Sequence, residues 1–335
     1  MLPVVAGNVL TAGLRNDFAD TYKITYKGVA ARLGEVMDMN IPSDKLTELY
    51  AYFETAPYPK RWPKGEDISS KSFKSVGFNV TNLDWGRRVP WHTNDRADDQ
   101  TKSLFDMARD AGAHWATLPE RIFFQILQST TDSDLLAAIP LSPDGVGLFS
   151  AVDGDGNDRF GVSGGNLFAA NGLTASQIRT DAFDIFERFR QMQDTEDQPL
   201  WDDSVVDQGF VIFYGVQNWE NFSSAFQQGR TVQIVQNVAG TENVAATVPT
   251  NIILDSGIRV TLVPTQRIAD NDWYVFLRGA KKKAIFRQIR QALFESFATW
   301  DTSDHTRTTG EEYIQWKSRE GYSIALPYAA IKANN

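Results

Sequence analysis

The sequence predicts a mixed α+β fold in which helices and strands hold separate stretches of the chain. Three observations carry that reading. A strand-type alternation runs from Ser72 through Val76, Phe78 and Val80; a single helical stripe joins Leu104, Ala108, Ala111, Trp115, Leu118 and Ile122; and apolar alternation returns over residues 313–316 and 324–328.

Taken in order, residues 1–44 read as an arm with a short helical stretch, because Leu10, Leu14, Phe18 and Tyr22 recur every four residues before Gly28 and Pro42 interrupt. That is too little apolar surface for a core of its own. Residues 45–91 read as a long β-hairpin. An aromatic-rich strand over 46–53 faces the strand from Ser72, whose alternation resumes out of phase at Leu83 and Trp85 and so predicts a bulge near Thr81 and Asn82. Between them lie Pro57, Tyr58, Pro59, Lys60, Arg61, Trp62, Pro63, Lys64, Gly65, Glu66 and Asp67. Three prolines and five charges cannot form a central strand, so this stretch is an exposed tip with two large rings.

The stripe from Leu104 to Ile122 spans five turns, with Asp98 and Asp99 placed for the N-terminal dipole and Pro119 expected to kink or split the helix. Unless a partner helix lies along it, such a stripe packs on the protein's own sheet. A glycine-rich loop follows over 140–171. Thr174 and Gln177 then form a capping box for a second helix with the stripe Ile178, Ala182, Ile185, Phe189 and Met192. Strands are expected at 210–214, 232–235, 252–254, 259–263 and 273–277, with a short helix over 219–226. Residues 284–297 are ambiguous: Ile285, Ile289, Leu293 and Phe297 suit a helix, yet 285–290 also alternates.

Composition narrows the function classes. At 335 residues the chain allows two domains or one with long excursions, and 42% hydrophobic with 22% charged residues is globular composition. The formal net charge of -9 argues against a protein that coats DNA by counterion release. With no cysteine there is no disulfide, thiolate metal site or cysteine nucleophile, which suits a reducing cytosol. The first basic residue is Arg15, so no signal peptide is expected, and no apolar run reaches the roughly 18 residues of a membrane helix.

Candidate chemistry is sparse. Gly161, Val162, Ser163, Gly164 and Gly165 match the G-x-S-x-G elbow of serine hydrolases, but that motif needs a buried strand before the serine and a helix after it. The bland alternative is a glycine turn. Asp153, Asp155 and Asn157 resemble the start of a calcium loop whose sixth position, Asp158, and twelfth, Gly164, are wrong for it. His92, His114 and His305 are too scattered for a zinc triad, and His114 reads as a helix-surface residue. No catalytic residue, cofactor site or metal site is assigned. Arg278, Lys281, Lys282, Lys283, Arg287 and Arg290 make the one basic cluster, which in an acidic chain reads as a patch for acidic surfaces of a neighbouring subunit ahead of the alternative, nucleic acid.

The running order of arm, long hairpin with charged aromatic tip, long helix, mixed domain and late return to sheet resembles the tailed-phage major capsid fold, the Hong Kong 97-like fold. Pro59, Lys60, Arg61, Trp62 through Gly65 and Glu66, then Phe73 and Asp98, Asp99, Gln100, are similar to the hairpin-to-spine passage of Mu-type major head subunits. Gly147, Leu148, Phe149, Ser150 before the turn at Ser163 to Asn166 is similar to that family's loop after the spine helix. Asp272, Trp273, Tyr274 leading to Phe286, Arg287, Gln288, Ile289, Arg290 is similar to its late strands and pulls the ambiguous segment toward sheet. Pro63 and Lys64 inside the tip and a divergent C-terminal end depart from the pattern.

The resemblance implies an N-terminal arm over 1–44, an extended loop over 45–97, the spine helix of a peripheral domain over 98–130, an axial domain over 131–255, and a return to the peripheral domain with C-terminal strands over 256–335. It implies a structural protein, not an enzyme, whose copies form pentamers and hexamers of an icosahedral shell around double-stranded DNA, held without sequence-specific binding. A scaffolding protein and a portal are expected partners, a decoration protein is compatible, and no membrane is involved. The product would be a virion made in a bacterial cytoplasm. Tyr58, Lys60, Arg61, Trp62, Lys64 and Glu66 of the tip and Lys281, Lys282 and Lys283 are the expected inter-subunit contacts. An encapsulin-like nanocompartment and a serine hydrolase acting through Ser163 are the alternatives.

Overall fold

The computed structural model describes residues 5–53, 61–64, 67, 75–94, 103–194, 197–226, 257–299 and 303–335. The chain opens with helix α1, Val5–Leu33, far longer than the short stretch expected of an arm. Gly28 does not interrupt it. A lone glycine costs a helix only about 1 kcal/mol, and running on buries Val29 and Leu33. The partner is helix α2, Ser103–Gln128, which lies along α1. The two backbones approach closely at Gly112, where a Cβ would sit 2.6 Å from the Phe18 carbonyl oxygen. The stripe on α2 faces inward as its spacing predicts, with Leu104, Ala108, Leu118 and Ile122 buried and Ala111 and Trp115 half-buried, but a helix covers it before a sheet does. Pro119 sits inside α2 without splitting it, leaving the Trp115 carbonyl without its usual helical donor.

Strand β1, Met37–Pro42, leads into β2, Thr47–Phe53, which pairs antiparallel with β3, Ser75–Thr81. This is the expected hairpin, a two-stranded ribbon. The phase change after it is not a bulge. Asn82 ends the ribbon, its amide donating to the Leu46 carbonyl at 2.8 Å, and β4, Leu83–His92, takes a new partner in a four-stranded sheet. Buried Asn82 holds the corner by donating from Nδ2 to Ser43 Oγ at 2.8 Å and to the Lys45 carbonyl at 2.7 Å. Its side-chain amide does at the corner what ladder bonds do elsewhere.

Past the glycine loop come β5, Leu167–Ala169, and α3, Ala175–Gln191, whose capping box forms as read: Thr174 Oγ1 accepts from the Gln177 amide and Gln177 Oε1 accepts from the Thr174 amide. After α4, Asp203–Val206, the buried strand β6, Phe210–Gly215, leads to α5, Trp219–Phe226. Strands β7, Val260–Thr265, and β8, Trp273–Leu277, follow; the strands expected at 232–235 and 252–254 lie outside the described residues. The ambiguous segment is strand β9, Ile285–Ala298, which a short helix α6, Asp304–Thr309, connects to β10, Glu311–Ile324. The expected strand over 324–328 is corrected: Pro327, with fixed φ and no N–H, opens a tight turn over Pro327–Ala329, and the last strand is β11, Ala330–Asn334.

The four-stranded sheet has the order β1-β9-β10-β4 and the five-stranded sheet the order β5-β11-β8-β6-β7. Helix α2 serves both. Its first half, through Leu104 and Ala108, packs with Trp91, Ile314 and Trp316 beneath the first sheet. Its second half sends Phe123 and Phe124 to Phe213 and Phe276 of the second. On that second sheet Phe186 stacks on Phe210 at 4.1 Å and Phe222 on Tyr214 at 4.0 Å, so helices α3 and α5 close the core.

Candidate assembly interface

The ribbon is tied down on one face only. A strand's side chains alternate faces, so Tyr50 and Phe78, paired across the ribbon, point together onto Phe286 of β9 with ring centroids 5.0 and 6.3 Å away. Beneath them lies Gln288, wholly buried. Its Oε1 accepts from the Tyr50 hydroxyl at 2.8 Å, while its Nε2 donates to the Val80 carbonyl at 3.2 Å and to Asn82 Oδ1 at 3.0 Å. Glu48 secures the turn into β2: its Oε1 accepts the backbone N–H groups of Lys45 and Asp44, each at 2.9 Å, and these hold its carboxyl below the ordinary value. The opposite face is bare, with Leu49 73% exposed.

At the tip, Arg61, Trp62, Pro63 and Lys64 are all exposed, Trp62 at 62%. Tyr58, Lys60 and Glu66 lie outside the described residues, as do Asp98 and Asp99. The basic cluster, expected as one patch, is divided. Lys281 and Lys282 are exposed on the rim of a cleft of about 1010 Å³ walled by Tyr50, Phe78, Phe286 and Trp201. Lys283 is half-buried, donates from Nζ to the Arg278 carbonyl at 3.1 Å, and is pushed down in pKa by burial. Arg278 pairs with Glu35, and Arg287 turns into the sheet to pair with Glu320. The cause is strand alternation together with acids from the chain's own α1 end and β10, which neutralise these cations before any neighbour can.

Other motifs resolve by geometry. Before Ser163 stands a tight turn over Arg159–Gly161 and after it strand β5, the reverse of the strand-then-helix that an elbow needs. Gly164 and Gly165 have φ of 78° and 53°, and a Cβ on Gly165 would sit 2.4 Å from the Ser150 carbonyl oxygen. The G-x-S-x-G spacing is a glycine turn. His305 lies on α6 with Nε2 3.6 Å from Glu311, and His114 is exposed on α2. Asp153 Oδ1 accepts the amides of Asp155 and Asn157 at 3.0 and 2.9 Å, which lower its pKa, the Asn157 amide foremost.

Sequence reasoning missed several buried charges, Arg159 and Glu120 among them. Arg159, 1% exposed, organises the glycine loop: it donates to Asp144, to Ser142 Oγ, to the Leu148 carbonyl and to Asn166 Oδ1. Glu120 on α2 is buried between Arg32 of α1 and Arg267 after β7. An arginine among aspartates and glycines reads as solvated; the signal that was present is the density of loop carbonyls able to surround it.

Residues 9–135 match the family model described as "Mu-like prophage major head subunit gpT". No curated protein matches the chain. Among solved structures, the chain is similar to the capsid of cyanophage P-SCSP1u, with a TM-score of 0.53 at 12% identity over 89% of this chain and 86% of that one. The mature capsid of bacteriophage PhiM1 gives 0.52 at 11% identity over 90% and 85%. The capsid of Myoviridae phage XM1 gives 0.52 at 9% identity over 90% and 89%. At such identities the likeness establishes the fold, and the family match supplies the sequence side. The chain thus has the Hong Kong 97-like α+β fold of tailed-phage major capsid proteins and, over residues 9–135, resembles the Mu-type major head subunits.

Proposed function

We propose that this chain is a phage major head protein whose copies assemble as pentamers and hexamers into an icosahedral shell around double-stranded DNA, and that its role is structural. The observation that carries this reading is the ribbon, anchored on one face through Tyr50, Phe78 and Gln288 and bare on the other, with an exposed aromatic and cationic tip. A shell subunit must bury on the order of 2,000 Å² or more against its neighbours, and a projecting ribbon reaches an area that a rounded body cannot. The net charge of -9 suits a wall that does not bind its packaged DNA.

On this reading residues 1–44, 45–97, 98–130, 131–255 and 256–335 act as arm, extended loop, spine, axial domain and peripheral return. The particle is the virion head, with a separate scaffolding protein and a portal as helpers and room for a decoration protein. The family match is to a phage head subunit, which does not favour an encapsulin-like compartment. Particles purified after co-expression with the neighbouring phage genes test the choice. Nuclease-protected DNA supports the head protein; a protein cargo without DNA supports the compartment, and covalent capture of Ser163 by a fluorophosphonate would revive the hydrolase.

A further inference from the structure

The sequence holds one Asn-Gly pair, Asn171–Gly172, just before α3. Such a pair is chemically weak. The backbone nitrogen of the second residue can attack the side-chain carbon of the asparagine, and glycine has no side chain to hinder the approach. In that step a bond forms between the Gly172 nitrogen and Asn171 Cγ, and the bond from Cγ to Nδ2 breaks. The proton lost by the Gly172 nitrogen leaves with Nδ2 as ammonia. Water then opens the cyclic imide, either to aspartate or to isoaspartate, in which the chain runs through the side chain. The fold cannot exchange this glycine, because its φ of 136° is one that side chains rarely adopt. Asn171 is exposed, so water reaches it.

Asp181 of α3, wholly buried, holds this asparagine. Its Oδ2 accepts the Asn171 backbone N–H at 2.9 Å, and its Oδ1 accepts from Nδ2 of the same residue. Among the described residues no other group donates to it. Burying a carboxylate is costly, and this one is committed to a single exposed side chain. Two bonds from one residue to one carboxylate fix the side-chain amide relative to its own backbone. The other reactant is fixed as well. Gln177 Nε2 donates to the Asn171 carbonyl at 2.8 Å, and that peptide plane carries the Gly172 nitrogen. Gln177 is in turn held by the capping box, its Oε1 accepting from the Thr174 amide at 3.1 Å.

We propose that Asn171 is the deamidation site of this chain and that Asp181 is a positioning residue that holds the reaction off while α3 is folded. Attack must come from above the plane of the side-chain amide, so the amide has to turn out of its bond to Asp181 before the ring can close. A carboxylate formed at 171 would face the Asp181 carboxylate, and two like charges cannot keep the clamp. Nothing in this inference depends on assembly.

The test follows isoaspartate at residue 171 by peptide mapping of the full chain in warm, mildly alkaline buffer, folded and in guanidinium chloride. Breaking a hydrogen bond to a charged group first should slow the folded chain by about tenfold or more. Asp181→Asn keeps the volume but offers one acceptor oxygen where the clamp uses two. Its rate at Asn171 should move toward the unfolded rate, while Asn94 and Asn157, both exposed, keep theirs. Equal rates in the folded and unfolded parent overturn the proposal. So does a faster folded rate, since the clamp would then present the two atoms to each other. A parent-like rate in folded Asp181→Asn removes Asp181 from the role, and acceleration shared by Asn94 and Asn157 reports a loosened fold and overturns it too. If Asp181→Asn does not fold, the folded-to-unfolded ratio of the parent decides.

Discussion

The Tyr50 hydroxyl donates to Gln288 Oε1 at 2.8 Å, joining residues 238 positions apart in sequence, the base of the ribbon to the floor of the four-stranded sheet. Gln288 is wholly buried and spends its amide protons on Val80 and Asn82, so Tyr50 is the donor left for its carbonyl oxygen. Tyr50→Phe keeps the ring on Phe286 and removes that donor. The expected loss is about 1 to 2 kcal/mol of stability, read as a lower urea midpoint with an unchanged slope, and faster amide exchange in β2 and β3. Unchanged exchange there would show that the ring contacts alone dock the ribbon.

Arg287 and Glu320 pair inside the sheet, both nearly inaccessible to water. Removing one partner strands the other's charge, so Arg287→Met is expected to cost about 3 to 5 kcal/mol. The double variant Arg287→Met with Glu320→Leu should lose markedly less. Urea unfolding of the three chains measures both values, and equal losses for single and double variants would contradict the argument.

Much of the fold was legible because burial and periodicity coincide. The stripes on α2 and α3, the Thr174 and Gln177 box, and the apolar run at β6 each follow from side chains that must leave water. The segment at 284–297 was not decidable by period alone, since Ile285, Ile289, Leu293 and Phe297 suit both a helix and a strand with irregular register. Pairing with β10 from Ile285 to Ala298, with shifts near Lys317 and Arg319, settles it. The α1 helix was underestimated because its stripe looks thin until Gly112 lets α2 approach. At the candidate interface, Trp62 could be read as exposed, whereas Arg278 and Arg287 could not be told from free cations, because their acids are distant in sequence.

Glu48 gives a pH test. The amides of Lys45 and then Asp44 lower its folded pKa from the ordinary 4.5. A lowered pKa means that its contribution is fully present above the ordinary carboxylate range and is lost as pH falls through the folded value. Glu48→Gln should therefore be less stable than the parent at neutral pH, with the gap closing once the pH drops below that value. Thermal unfolding across the acid range checks it, and a gap that widens on acidification would contradict the sign.

Arg159 grips the glycine loop with the fork of its guanidinium, reaching Asp144 through both Nε at 2.7 Å and Nη2 at 3.0 Å. Lysine keeps the charge but offers a single point, so it cannot hold Asp144 and Ser142 together while also reaching the Leu148 carbonyl and Asn166 Oδ1, each of which falls from two donors to one. Arg159→Lys should cost about 2 kcal/mol or more, seen in chemical denaturation; a loss below about 0.5 kcal/mol would mean that the loop repacks freely.

Trp62 is exposed at the tip and belongs to neither core cluster, so Trp62→Ala should leave the unassembled chain folded with an unchanged urea midpoint. Particle yield or the thermal resistance of particles should fall, as the loss of an aromatic anchor predicts. Parent-like yield and resistance would remove the tip from the assembly interface.

The most direct measurement is electron microscopy of the purified chain co-expressed with the genes for its assembly helpers. Closed shells of uniform diameter, resolving into rings of five and six copies, are the predicted outcome. A concentrated preparation that stays as isolated molecules, with every helper present, contradicts the account.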